Sequence, residues 1–164
     1  MWVIWIPLVA AWIAMPFVAR AQDPVSHPLI GLPEFARSIP ALGAVRVAAV
    51  LAAITCLALS VRCWRHMGKR WRMGVEPATD AKLITNGPFS KVRHPIYTLS
   101  ITLMVCSVLI APTPIMLLLA IVHITLMHLK ARNEEVFLLN VHGDSYRDYV
   151  RKTGRFLPRF RTIQ

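Results

Sequence analysis

A short sequence, KVRHPIY at residues 91–97, joins a basic loop to the third of four apolar segments. A second polar sequence, KARNEE at residues 130–135, follows the fourth apolar segment. If the apolar segments span a membrane, both polar sequences lie at the same edge of it. Arginine, histidine, tyrosine and paired glutamates gathered at one interface indicate a polar ligand that binds there.

The composition is that of a membrane protein. The 164 residues are 55% hydrophobic and 16% charged, with a mean hydropathy of +0.51, whereas soluble domains contain about 25% charged residues. The first two apolar segments approach the roughly 20 residues that a spanning helix needs, and we expect the two shorter ones to continue as helix beyond their apolar runs. The sequence therefore predicts one all-α membrane domain, residues 1–164, with four transmembrane helices. The apolar segments are residues 2–19, 41–61, 96–111 and 115–129.

The charges that flank these segments predict an orientation. The loop between the second and third segments is rich in lysine and arginine, as is the region after the fourth, while the loop between the first and second is balanced in charge. Basic loops stay in the cytoplasm, so both termini and the basic loop are predicted there. Segments three and four then form a helical hairpin, followed by a cytoplasmic C-terminal helical cap. The excess of lysine and arginine in the regions predicted to be cytoplasmic, and the attraction of these residues to the lipid bilayer, explain the net charge of +11. A nucleic-acid partner is therefore not expected.

Arg93 and His94 are the first candidate binding residues. Pro95 disfavours a helical conformation at His94 and is itself a good first helical residue. His94 is therefore predicted at the start of the third helix, where free backbone N–H groups and the helix dipole favour an anion. Tyr97 lies one turn further on. The alternative is an interfacial anchor, with Arg93 at the lipid headgroups and Tyr97 in the aromatic belt.

Glu134 and Glu135 are the second candidates. The pattern around them predicts that the fourth helix continues past the membrane edge. Adjacent residues on a helix point about 100° apart, so the two carboxylates are expected to do different jobs. One could bind the cationic end of a zwitterionic ligand, and the alternative is surface ion pairing with Lys130 and Arg132.

Two further polar patterns flank these candidates. A turn that contains Leu83 and Gly87 leads into the 91–97 sequence, and Gly143 predicts a turn before Tyr146 and Tyr149. The region after Gly143 has an alternative interpretation as an amphipathic segment on the membrane surface. No metal site is expected, because no pair of cysteines has metal-ligand spacing. The three cysteines, at positions 56, 63 and 106, are predicted to be small buried hydrophobic residues.

The order of these motifs is more specific than any one of them. A Leu-x-x-x-Gly-Pro-Phe turn precedes Arg-His-Pro-x-Tyr, then come Glu-Glu-x-x-Leu, Gly-x-x-Tyr-x-x-Tyr and Arg-Phe-x-Pro at residues 155–158. This order, over residues 82–160, resembles the isoprenylcysteine carboxyl methyltransferase and phospholipid methyltransferase group of integral membrane enzymes. One departure is Leu99, where family members often carry glycine.

The resemblance implies S-adenosylmethionine as cofactor and methyl transfer at the membrane. The acceptor would be lipid-like or a small hydrophobic molecule that offers a carboxylate, an amine or a thiol. Arg93 and Glu135 would be catalytic. The cofactor would be held by Leu83, Gly87, Arg93, His94, Tyr97, Glu134, Glu135, Tyr146 and Tyr149. Two alternatives stay open: a non-enzymatic membrane scaffold, and an NADPH-dependent enzyme like the sterol reductases, which carry a related Arg-His-Pro-x-Tyr pattern.

Overall fold

The computed structural model of the chain describes residues 2–68 and 83–159, with the side chains of residues 2–5 and 37 outside the description. Residues 69–82 of the predicted basic loop and the last residues of the chain lie outside these ranges. In the described ranges the chain is helical, and its β structure is one isolated parallel bridge between Val92 and Gly154. The predicted all-α class is confirmed. The helices are α1 (Trp2–Ala21), α2 (Glu34–Ser38), α3 (Pro40–Met67), α4 (Pro95–Ile110) and α5 (Pro114–Lys152), with a 3-10 turn at Gly87–Ser90 between α3 and α4.

Each of the four apolar segments forms a helix. Among the described residues, α3 and α5 are long and apolar enough to cross a membrane, whereas α4 and the described part of α1 are shorter apolar helices. Pro7 and Pro16 lie inside α1 without ending it, as is common in membrane helices. That α1 and α4 also cross the membrane, which would give four transmembrane helices, therefore remains a prediction.

The hairpin between α4 and α5 sets where α4 stops. The expectation that α4 continues beyond its apolar run is wrong, because α4 ends at Ile110. The Thr113 side chain accepts a hydrogen bond from the Met116 N–H at 3.2 Å, and Pro114 then begins α5. A capping threonine followed by proline is a strong helix start. The expectation is right for α5, which runs on to Lys152.

The chain divides into two compact units. The first unit contains Met1–Leu57 and Ser100–Leu126. Its buried core is Met104, Met116 and Ala120, against which Trp12 and Met15 pack. Two polar pairs lie inside this unit: the Trp12 indole donates to Ser107 Oγ at 2.7 Å, and Ser100 Oγ lies 2.9 Å from His123 Nε2.

The second unit contains Ala58–Leu99 and Met127–Gln164. Within it, Gly143 interrupts α5 with φ 51° and ψ −122°, which confirms the predicted turn. We call residues 144–152 the C-terminal arm of α5 and residues 153–159 the tail.

Hydrogen bonds join the tail to the start of α4. The Arg93 N–H donates to the Gly154 carbonyl at 2.9 Å, and the His94 N–H donates to the Arg155 carbonyl at 3.1 Å. Thr98 Oγ1 donates to the Phe156 carbonyl at 2.8 Å. Two of the N–H groups expected to be free for an anion are therefore occupied by the protein itself.

Candidate functional site

Glu135 is the centre of a charged cluster in the second unit. Arg93 Nε donates to its Oε1 at 3.0 Å, and Arg155 Nε lies 3.0 Å from each carboxylate oxygen. Arg155 Nη2 also bonds Oε2, and His94 Nε2 lies 3.3 Å from Oε1. The Glu135 side chain is 13% exposed. One largely buried carboxylate therefore faces two guanidinium groups and an imidazole.

These contacts fix the charge of Glu135. Burial alone would raise the pKa of its carboxyl, but hydrogen bonds from His94, Arg155 and Arg93, together with the Arg93 charge, hold the pKa well below its usual range. The bond to Glu135 in turn raises the pKa of Arg155. The Glu135 carboxylate is therefore ionised at neutral pH.

Arg93 also holds the end of the C-terminal arm. Its Nη1 donates to the carbonyls of Val150 at 3.4 Å and Thr153 at 2.5 Å. Arginine commonly satisfies the last carbonyls of a helix in this way. With Nε on Glu135, Arg93 connects the start of α4, the middle of α5 and the end of the arm. This is the geometry of a residue that positions other groups.

Glu134 has a different set of partners. The Tyr97 hydroxyl donates to Glu134 Oε2 at 2.8 Å, and His94 Nδ1 lies 3.6 Å from the same oxygen. The rings of His94 and Tyr97 are stacked, with centroids 5.2 Å apart and planes 6° apart. Lys130 Nζ lies 5.4 Å from the Tyr97 ring centroid. The Glu134 side chain is 37% exposed. The two glutamates thus do face different groups, and Glu134 is the more accessible.

The Phe156 ring supplies an apolar contact beside these polar groups. Its centroid lies 6.1 Å from that of His94 and 4.6 Å from that of His128. Because the Phe156 carbonyl is fixed by Thr98, the ring is held where the tail meets α4.

Tyr146 and Tyr149 are both buried, with centroids 6.0 Å apart. The Tyr149 hydroxyl donates to the Phe89 carbonyl at 2.6 Å, and burial raises the pKa of Tyr149 to about 12. The Tyr146 hydroxyl is buried and has no hydrogen-bond partner among the described residues. Tyr149 therefore ties the arm to the 3-10 turn, and Tyr146 has an unused donor.

Leu83 and Gly87 belong to the turn that Tyr149 holds. Gly87 has φ +59°, which favours glycine, and a Cβ there would come within 2.7 Å of the His66 ring, so any other residue would have to displace that ring. Leu83 is half-buried just before the turn. The turn is connected to the C-terminal arm by the hydrogen bond from the Tyr149 hydroxyl to the Phe89 carbonyl.

The predicted residues therefore fall into groups. The structure brings together five of them, Arg93, His94, Tyr97, Glu134 and Glu135. Tyr149 connects the C-terminal arm to the turn that contains Gly87. Sequence reasoning missed Arg155, although the Arg-Phe-x-Pro motif contains it. Among the described residues, no group of three or more His, Cys, Asp or Glu side chains could hold a metal ion. The three cysteines are free thiols and buried, as predicted.

The polar cluster lies at the start of α4 and in the part of α5 that follows its apolar run. The protein is therefore of the class in which a polar site forms at the ends of apolar helical segments. The sequence model of a family described as phospholipid methyltransferase matches residues 44–145, more than half of the chain, so the chain belongs to the phospholipid methyltransferase family. Together with the two helices long enough to cross a bilayer, this makes it an integral membrane protein.

The fold is also found in a solved structure. The chain is similar to a eukaryotic intramembrane Ras methyltransferase, isoprenylcysteine carboxyl methyltransferase, with 19% identity and a TM-score of 0.62. The alignment covers 94% of this chain and 52% of that one, so this chain spans about half the length of its structural relative. A comparison with curated proteins gives no significant match.

Proposed function

We propose that this protein transfers a methyl group from S-adenosylmethionine to a lipid-like or small hydrophobic acceptor at the membrane. Membership of the phospholipid methyltransferase family supports methyl transfer. The observation that carries the proposal is the accessible Glu134 carboxylate, oriented by the Tyr97 hydroxyl beside Lys130 and His94.

These side chains fit the chemistry of S-adenosylmethionine. Its amino-acid end carries an ammonium and a carboxylate, which suit Glu134 on one side and Lys130 and His94 on the other. A cation already lies over the Tyr97 ring, because Lys130 Nζ is 5.4 Å from its centroid. Aromatic faces attract cations in general, so the same kind of face suits a sulfonium.

The bound cofactor supplies an electrophilic methyl group, and the protein orients the reacting groups and excludes water. Tyr97 orients the Glu134 carboxylate, and Phe156 places an apolar ring against His94 and His128. Arg93, Glu135 and Arg155 keep the tail against α4. We therefore assign Arg93 and Glu135 to positioning, and Glu134 to direct contact with the cofactor.

The proposed topology places this site at the cytoplasmic surface. In it α1, α3, α4 and α5 each cross the bilayer, with both termini in the cytoplasm. The basic charge bias supports this orientation. The acceptor would enter from the bilayer, and its reactive group would be a carboxylate, an amine or a thiol.

Isothermal titration with S-adenosylhomocysteine tests the role of Glu134. Glu134→Gln should weaken binding roughly ten- to hundredfold, because charge-assisted hydrogen bonds contribute about 1.5–3 kcal/mol. Glu34→Gln, at an exposed glutamate in α2, is the matched control and should bind like the wild type. Equal affinity of wild type and Glu134→Gln, both folded, would remove Glu134 from the site.

A further inference from the structure

The segment between α1 and α3, residues 22–39, turns its large apolar side chains outward. Val25 is 87% exposed, Leu29 65% and Phe35 53%. The residues of this segment that are buried, among those described, are the small Gly31 and Ala36. In water the large apolar side chains would be expected inside, so this arrangement indicates a surface that another apolar phase covers.

Hydrogen bonds hold the α1–α3 segment in this arrangement. The Leu32 N–H donates to the Ala19 carbonyl at the end of α1, and the Ile115 N–H at the start of α5 donates to the Leu29 carbonyl, both at 3.2 Å. All of these residues belong to the first unit. The exposed apolar side chains are therefore part of a segment that is fixed to two helices.

Arg46 indicates the depth of the segment in the membrane. It lies six residues after Pro40, the first residue of α3, and its Nη2 donates to the Ala36 carbonyl of α2 at 2.5 Å. Six residues of helix rise about 9 Å, and an arginine near the end of a membrane helix extends its side chain toward the interface. Since α3 is long and apolar enough to cross a membrane, its start and α2 beside it are expected at the boundary between bilayer and water.

The exposed apolar surface of α3 continues onto α2. Val45 and Val47 flank Arg46 on α3 and are exposed, so they meet lipid where α3 crosses the bilayer. On α2, the element that Arg46 contacts, Phe35 and Ile39 are also exposed. The two are four residues apart and joined by a backbone hydrogen bond of 3.3 Å, so they lie on the same side of the helix.

Polar side chains of the same segment are exposed beside the apolar ones. Ser26 follows Val25 and Glu34 precedes Phe35, and Asp23 Oδ2 accepts hydrogen bonds from the N–H and the hydroxyl of Ser26 at 2.9 and 2.8 Å. An amphipathic segment lies in the interface with its apolar side roughly 5–10 Å deep. A second copy of the chain fits less well, because protein contacts in membranes favour small residues that allow close approach.

We propose that the α1–α3 segment is an interfacial anchor that lies in the headgroup layer, with Val25, Leu29 and Phe35 among the acyl chains and Ser26 and Glu34 in water. Its partner is the bilayer surface. The anchor requires neither S-adenosylmethionine nor methyl transfer, so it stands or falls independently of the proposed activity.

Spin labels at single cysteines, in protein reconstituted into dioleoyl phosphatidylcholine vesicles, test this proposal. The native cysteines are replaced by alanine, and one cysteine is introduced at an apolar position, as Val25→Cys, Leu29→Cys or Phe35→Cys. Ser26→Cys and Glu34→Cys are the matched controls. All five positions are exposed, so the labels replace no packed side chain, and thermal unfolding checks that each labelled variant is folded.

Two collision reagents report where each label lies. Molecular oxygen concentrates among acyl chains, whereas a nickel chelate stays in water. The ratio of oxygen to nickel collision rates should be several-fold higher at Val25, Leu29 and Phe35 than at Ser26 and Glu34. Equal ratios within the neighbouring pairs would place the whole segment in water and overturn the anchor. Low collision rates with both reagents at the three apolar positions would show that protein, such as a second copy, covers them, and would overturn the assignment to the bilayer.

Discussion

Glu134 and Glu135 are neighbours in sequence and have separate roles because a helix turns about 100° between them. Glu135 faces Arg93 and Arg155, while Glu134 faces the Tyr97 hydroxyl. This division was predictable from the sequence, because it follows from helix geometry alone. The identity of the partners was not, since Arg155 is twenty residues from Glu135 and meets it only after the chain turns at Gly143.

The low pKa of Glu135 predicts a pH dependence of stability. A carboxyl whose pKa is lowered on folding stabilises the protein above its unfolded pKa, about 4.3 for glutamate, and this contribution is lost as the pH falls toward the folded value. The melting temperature should therefore fall as the pH is lowered below about 5. Glu135→Gln should melt lower at pH 7 and show a flatter decline below pH 5.

The matched control for this prediction is Asp144→Asn. The Asp144 side chain is 88% exposed, so its removal should leave the pH profile nearly parallel to that of the wild type. If Glu135→Gln also gave a parallel profile, the cluster would contribute nothing to folding through the charge of Glu135.

At the scale of the elements, apolar runs predicted all four long helices, because burial or lipid contact requires continuous hydrophobic surface. The end of α4 was predicted wrongly. Its stop follows from Pro112, which has no N–H to donate and disfavours a helical conformation at Ala111. The Thr113 cap and Pro114 then start α5. The tail was also hard to predict, because its bridge at Gly154 depends on a segment far away in sequence.

The break in α5 depends on Gly143. Its φ of 51° and ψ of −122° are unfavourable for a residue with a Cβ, although no atom lies within 4 Å of where that Cβ would be. Gly143→Ala should therefore lower the free energy of unfolding by about 1–3 kcal/mol through backbone strain. It should also increase protease cleavage of the tail.

Gly43→Ala is the matched control for Gly143→Ala. Gly43 lies inside α3, also with no atom near its absent Cβ and without a positive φ. Alanine there should be neutral or stabilising by about 0.5–1 kcal/mol. Similar losses in both variants would show that the Gly143 conformation is not needed.

At the scale of the whole molecule, the orientation in the membrane is predicted from charge. Single cysteines are introduced at Ser26 and Ser90, both exposed, after the native cysteines are replaced by alanine. In intact cells an impermeant maleimide should label the cysteine at 26, between α1 and α2, and spare the one at 90. Labelling at 90 alone would reverse the topology and place the site on the outer surface.

Recognition of the cofactor is the central claim, and thermal unfolding with two candidate cofactors tests it most directly. A ligand that binds only the folded state raises the melting temperature by an amount that grows with the logarithm of its concentration above Kd. S-adenosylhomocysteine should raise the melting temperature of the purified protein with concentration, NADPH should leave it unchanged, and Glu134→Gln should need a higher concentration for the same shift. A rise with NADPH and none with S-adenosylhomocysteine would contradict methyl transfer and favour the reductase alternative.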